Sequence, residues 1–192
     1  MDKNQHEHNK VFPWQRGSHL TGQVRKHVNN PQPLLQHYIS EGMTILDVGC
    51  GMGFLTLIAS DLTGASGTVI AVDLQPEMLA GLKKNAEKAH KTNITFHQCA
   101  KDALGIEQWN ESIDLALVYW MLHEVPNPER LIREIYAALA DKGMLLFVEP
   151  ARRVSKDAFQ SSLDMIVECG FSIVDLPKVS ISHAAVLQKN QA

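Results

Sequence analysis

Cysteine, aromatic side chains and net charge are all scarce in this chain. It has three cysteines in 192 residues, 6% aromatics and a formal net charge of −3. The scarcities of cysteine and of charge each remove a class of protein. Three widely spaced cysteines form no C-x-x-C pair and leave one over in any disulfide scheme, so they fit a reducing cytoplasm better than a disulfide framework. No apolar run reaches the roughly eighteen residues of a membrane span, and the polar start Met1-Asp2-Lys3-Asn4-Gln5 has no secretory pattern. The small negative charge gives no footprint for nucleic acid or an anionic membrane. No Gly-Lys pair occurs, which excludes the phosphate loop G-x-x-x-x-G-K-[ST]. What is left is ordinary globular composition, 45% hydrophobic and 20% charged, at a length that suits one domain. The expectation is a soluble cytoplasmic protein with no metal, no nucleic acid and no membrane partner.

Composition divides residues 1–28 from 29–192. The first segment is polar, with one apolar island, Val11-Phe12-Pro13-Trp14. It reads equally as an active-site cover, with Trp14 and Arg16 lining a substrate, or as a disordered leader. His6 and His8 flank Glu7, and in a polar tail they read as solvated, not metal-bound. From Asn30 the pattern turns regular. Pro31 and Pro33 open a short helix with Asn30 as its cap. Strand Thr44–Val48 precedes a helix Phe54–Leu62 whose residues 54, 55, 57, 58 and 62 share one face. Strand Thr68–Asp73, a helix from Pro76 with Met78, Leu79, Leu82, Ala86 and Ala89 inward, and strand Ile94–Cys99 follow. Strand Ile113–Trp120 leads to a helix capped at Asn127-Pro128, with Leu131, Ile132, Ile135 and Leu139 inward. After a Lys142-Gly143 turn comes strand Met144–Val148. Ser155 then opens a helix with Phe159, Leu163, Ile166 and Val167 inward and Gly170 at its end. Extended segments near 171–176 and 180–188 lie too close for a crossover and read as an antiparallel pair. Strands alternating with amphipathic helices imply an α/β domain with a mostly parallel sheet covered on both faces.

The densest signal is Ile45-Leu46-Asp47-Val48-Gly49-Cys50-Gly51-Met52-Gly53-Phe54. A buried strand ends at a turn where glycine lets backbone approach a ligand closely, and the next helix offers its amides. The dinucleotide fingerprint G-x-G-x-x-G would place its third glycine at position 54, which is Phe54; glycine comes one residue early, at Gly53. Asp47 would repel a pyrophosphate but can accept from an ammonium group. These residues resemble the first motif, D/E-x-G-x-G-x-G, of the class I S-adenosylmethionine (SAM) dependent methyltransferases. With the later segments, over about residues 40–190, the look is similar to the ubiquinone/menaquinone-biosynthesis-like (type 11 domain) members. The resemblance implies a Rossmann-like doubly wound seven-stranded sheet, mostly parallel, with an antiparallel last strand inserted between strands five and six. It also implies SAM as cofactor and a methyl acceptor as substrate, with a small molecule favoured because the compact chain has no large insertion.

In open α/β sheets, ligands sit beyond the carboxyl ends of the strands. There the candidate cofactor residues are Asp47, Gly49, Cys50 and Gly51 after strand one. Asp73 after strand two suits the ribose hydroxyls and Leu74 the adenine face. After strand three the family places an acid at the adenine amino group; Asp102-Ala103 supplies the pair, although counting from Ile94 places that slot near Ala100. After strand four, Tyr119 and Trp120 would offer backbone carbonyls to the SAM ammonium. The segment Leu122-His123-Glu124-Val125-Pro126 also resembles small-molecule methyltransferases. His123, and after strand five Glu149, are the candidate bases, since a hydroxyl, amine or acidic carbon must lose a proton to be methylated. Cys50, Cys99 and Cys169 read as small buried hydrophobes, not as the three thiols that bind substrate in arsenite methyltransferases. Two other readings remain: a non-catalytic SAM-binding module and, against the glycine spacing, a nicotinamide-dependent oxidoreductase. Oligomeric state is not legible in the sequence.

Overall fold

The computed structural model describes residues 30–190, which form a seven-stranded sheet and five α-helices. Helix α1 (Gln32–Tyr38) precedes β1 (Thr44–Val48), followed by α2 (Thr56–Thr63), β2 (Thr68–Asp73), α3 (Pro76–Lys88) and β3 (Ile94–Gln98). Next come β4 (Ile113–Tyr119), α4 (Pro128–Ala138), β5 (Leu139–Pro150), α5 (Lys156–Glu168), β6 (Phe171–Asp175) and β7 (Ser182–Lys189). Strand order is β3-β2-β1-β4-β5-β7-β6. Strands β1 to β5 pair in parallel, and β7 runs antiparallel to both β5 and β6. This is the expected doubly wound sheet with its reversed last strand inserted between the fifth and sixth. The segment 1–28 and its suggested role as a cover, including Trp14, Arg16, His6 and His8, lie outside the described residues. Among the described residues no helix is long and apolar enough to cross a membrane.

Short polar side chains cap two of the five helices, α4 and α5, as their sequences suggest, whereas α2 and α3 have no side-chain cap. Asn127 Oδ1 accepts from the amide of Arg130 at 3.1 Å, and Ser155 Oγ from that of Ala158 at 3.2 Å. Asn30 Oδ1 likewise accepts from the amide of Gln32 at 3.1 Å. The two faces of the sheet follow strand alternation. In β2, Ile70 and Val72 join the core that contains the inner faces of α4 and α5. Val69 joins the core containing Leu35 of α1 and Ala59 of α2, while Ala71 groups with Leu82 of α3.

Several local expectations are corrected. Helix α2 begins at Thr56, not Phe54, because Gly53 has φ +94° and stands outside helical space. Its buried residues are Thr56, Ala59, Ser60 and Thr63, whereas Leu57, Ile58 and Leu62 are half-buried. The hydroxyls replace apolar bulk because each finds a partner: Thr63 Oγ1 donates to Met43 O, and Ser60 Oγ to Asn93 Oδ1. Ala89 is exposed at the end of α3, and Val167 is exposed on α5. Leu139 is buried as expected, but as the first residue of β5. The Lys142-Gly143 turn is an irregularity within that strand: Lys142 has φ +60°, and the pairing with β4 shifts between Ile113 and Leu115.

Candidate active site

Strand order reverses between β1 and β4, and a cavity of about 780 Å³ lies at the carboxyl ends of the strands there. Its wall includes Asp47, Gly49, Cys50, Gly51, Asp73, Leu74, Asp102, Tyr119, Trp120 and His123. Of the candidate cofactor residues and bases, all among the described residues, Glu149 alone is not on the wall.

The glycine turn is fixed to β2 by its own backbone. The amides of Gly49 and Cys50 both donate to Val72 O, at 2.9 and 3.0 Å. Gly51 has φ +53°, and a Cβ built there would meet no atom within 4 Å. No neighbour demands that glycine, so its bare backbone is open to a ligand. Gly53 is different, because a Cβ there would fall 2.2 Å from Leu82 Cδ1. Its role is packing. Cys50 borders the cavity while its side chain groups with Ala71 and Leu82, and burial pushes its thiol well up.

Asp73 locks the turn from β2. Its Oδ2 accepts from the amide of Gly51 at 2.8 Å and its Oδ1 from that of Gln75 at 2.9 Å. Each oxygen keeps a further lone pair, which suits a vicinal diol. Burial raises its pKa, and the Gln75, Gly51 and Leu74 amides pull against that rise. Asp47 is 2% exposed and accepts from Thr56 Oγ1 at 2.6 Å. Burial pushes its carboxyl up to about 6; the Thr56 hydroxyl lowers it and the Asp73 charge raises it. A buried carboxylate answered by the hydroxyl and backbone of one threonine is suited to receiving a cation.

At the end of β3, Ala100 and Asp102 both line the cavity, with Asp102 exposed. The loop is held by Ala100 N to Ala103 O at 3.0 Å, by Leu104 N to Glu134 Oε2 at 2.6 Å and by His97 Nε2 against Leu104 O at 2.8 Å. At the end of β4, Trp120 has φ +60°; its amide donates to Val148 O at 2.7 Å and its indole to Ser182 Oγ at 3.0 Å. Glu149 is buried behind His123. Its Oε2 lies 2.6 Å from His123 Nδ1, and its Oε1 accepts from the His123 amide at 3.3 Å. Of these two residues, His123 lines the cavity and Glu149 does not.

Four contributors were missed in the sequence: Thr56, Gln75, Glu134 and Met121, whose Cγ would lie 3.1 Å from a Cβ on Gly49. A hydroxyl at the start of the helix after the turn was the available signal for Thr56. Glu134 sits 30 residues from its partner Leu104, and local sequence carries no sign of it.

A carboxylate tied to a bare glycine turn, with a second buried carboxylate nearby, thus lies at the point where strand order reverses in a Rossmann-like sheet. Residues 39–186 match the family described as a methyltransferase domain, and the chain belongs to that family. An arsenite methyltransferase from Halobacterium salinarum is 27% identical over 149 residues, 76% of this chain and 38% of that protein. A demethylmenaquinone methyltransferase from Lactococcus lactis is 32% identical over 122 residues, 62% of this chain and 48% of that protein. The aligned chain thus spans less than half the length of these two relatives. A SAM-dependent methyltransferase from Aquifex aeolicus has the same fold, with a TM-score of 0.82 and 21% identity over 93% of this chain and 98% of that one. SAM is the cofactor this family implies. The open space at Gly51 and the cation-seeking Asp47 fit it.

Proposed function

We propose that the chain transfers a methyl group from SAM to a small organic acceptor bound in the cavity. The observation that carries this reading is convergence: Asp47, Gly49, Gly51 and Asp73 line one cleft at the point where strand order reverses. Asp47 and the carbonyls near Tyr119 and Trp120 would accept from the ammonium of the cofactor's methionine end, with the turn Gly49-Cys50-Gly51 alongside. Asp73 would accept the ribose hydroxyls. Leu74 would cover the adenine, with Asp102 or the Ala100 backbone at its amino edge. When bound, SAM supplies a methyl already activated by a positive sulfur. The chain's own task is to align a nucleophile and exclude water. The Gly51–Asp73–Gln75 contacts are made within the chain itself and support a fixed position for the Asp73 carboxylate.

The cavity volume lies within the roughly 300–1,000 Å³ of small-molecule sites, and the two relatives are named for arsenite and demethylmenaquinone. An organic acceptor is favoured over arsenite. Cys169 ends α5, apart from Cys50 and Cys99, and among the described residues no three His, Cys, Asp or Glu side chains gather as a metal site. Release of S-adenosylhomocysteine should be assayed with quinols, phenols and amines, and in parallel with peptides and RNA. Turnover with a small organic compound and none with the macromolecules is expected. Silence throughout, alongside tight SAM binding, would instead favour a binding module without catalysis.

A further inference from the structure

We propose that the acceptor is a flat apolar molecule carrying an acidic hydroxyl, a phenol or an enol, and that its proton passes to Nε2 of His123. This rests on the methyl-transfer reading above and names the substrate class of the same site. Glu149 grips both the ring and the backbone of His123, through Nδ1 at 2.6 Å and the amide at 3.3 Å, and is itself 1% exposed. A carboxylate only accepts, so the Nδ1 hydrogen points to Glu149 and Nε2 keeps its lone pair. Nε2 is buried and finds no hydrogen-bond partner among the described residues. Glu124 Oε1 stands 3.8 Å away, beyond hydrogen-bond range, and Arg153 Nη1 lies 3.6 Å from the same oxygen. A base oriented by a buried third group, with its second nitrogen unspent, has the geometry of proton abstraction. The imidazolium formed would lie between two carboxylates.

The wall beside His123 favours a flat apolar body. Trp120, Met121, Val125 and Ile181 line the cavity, together with the charged Glu124, Arg152 and Arg153. Trp120 and Ile181 hold φ of +60° and +54°. A β-branched residue in the left-handed region is a genuine outlier, and such strain persists at ligand sites where surrounding bonds over-determine it. Ile181 O accepts from the amide of Ala151 at 3.0 Å, and Trp120 is pinned at both ends. The acidity of the acceptor follows from the base. An imidazole is a weak base, and a phenol or enol hydroxyl is far more acidic than an aliphatic alcohol; the sulfonium's positive charge, present before the transfer, also favours an oxyanion beside it. In the step, the acceptor O–H bond breaks and its proton goes to Nε2. The oxygen uses its electron pair to bond the methyl carbon, the carbon–sulfur bond breaks and its pair returns to sulfur. His123 then loses the proton to water. Glu149 acts as a positioning residue, through His123.

The probe is 4-nitrophenol, whose anion absorbs visible light. It is added to protein saturated with S-adenosylhomocysteine, at a pH where most of the free probe is protonated. Wild type should develop the anion band, and His123→Gln should reduce it at least tenfold, corresponding to about one pKa unit. Homocysteine-nucleoside affinity should be unchanged in the variant. Glu149→Gln should weaken the band as well. Nitrogen-15 NMR of the wild type should report the Nδ1-protonated tautomer of His123, a readout independent of how the variants fold. Absence of the band in wild type, an undiminished band in His123→Gln, or an Nε2-protonated ring would each overturn the proposal. Failure of S-adenosylhomocysteine to bind wild type would instead sink the methyl-transfer reading itself.

Discussion

At the ends of β1 and β2 the polar groups of the cavity are already joined to one another, whereas at the ends of β4 and β5 one is left over. Asp73 holds two amides, and Asp47 holds the Thr56 hydroxyl. Across the cavity, Glu149 is engaged through both oxygens, yet the Nε2 of the histidine it holds has no hydrogen-bond partner among the described residues. The first half is built of backbone and short-range bonds, so it suits a ligand that does not change. The second half presents side chains on strained residues, Trp120 and Ile181, and suits a ligand that reacts. On the reading proposed above, the first half would hold the cofactor's ribose and part of its ammonium, and the second would add the Tyr119 and Trp120 carbonyls and the base.

The sharpest break between the halves is expected at Asp73. Replacing it with alanine removes hydrogen bonds to a charged group, each about 1.5–3 kcal/mol, so SAM affinity should fall by at least 100-fold in calorimetry. His123→Gln, on the other wall, should leave that affinity within a factor of about two.

Two glycines one residue apart should then divide stability from binding. Gly53→Ala brings a Cβ to 2.2 Å from Leu82 Cδ1 at φ +94°, and overpacking with backbone strain should cost about 2–4 kcal/mol in denaturant melts. Gly51→Ala meets no protein atom. It should cost only the left-handed strain of about 1–2 kcal/mol, while cofactor binding fails. A variant that bound SAM normally would show that the turn does not face the ligand.

Asp47→Asn should strengthen the fold and weaken the cofactor. The Asp47 carboxyl titrates near 6 in the folded chain, above the ordinary 3.8. The folded state therefore holds its proton more tightly, and stability present below pH 4 is lost as pH rises through 6. At about 1.4 kcal/mol per unit the penalty at neutral pH is about 3 kcal/mol. Urea melts of the free wild type should show that decline between pH 4 and 6, and Asp47→Asn should flatten it and gain about 1–3 kcal/mol at neutral pH. The smallest effect belongs to Ile181→Asn, which should gain up to about 1 kcal/mol in the same melts, because asparagine tolerates φ +54° where isoleucine does not.

The same division explains what the sequence could reveal. The glycine turn and Asp73 were legible because backbone approach demands particular residue types at fixed local spacing. Strand and helix alternation revealed the sheet for a similar reason: β2 and β4 are buried on both faces and carry apolar runs at 69–72 and 115–119. Helix α2 misled because its inner face carries hydroxyls satisfied by Met43 and Asn93, which no hydrophobic period records. His123 and Glu149 were each legible as a polar residue after a strand. Their union was not, since 26 residues and a parallel ladder separate them. Glu134 bracing the loop before Leu104 is hidden in the same way. Two positions on the β3 loop, Ala100 and Asp102, both reached the cavity, so spacing alone could not choose between them.

The central claim is that Asp47, the Gly49–Gly51 turn and Asp73 form one cofactor site. Calorimetric titration of SAM into the wild-type chain, repeated on Asp73→Ala, tests it most directly. The account predicts one site per chain for wild type and loss of binding in the variant. No heat with wild type, or equal affinity in both proteins, would contradict it.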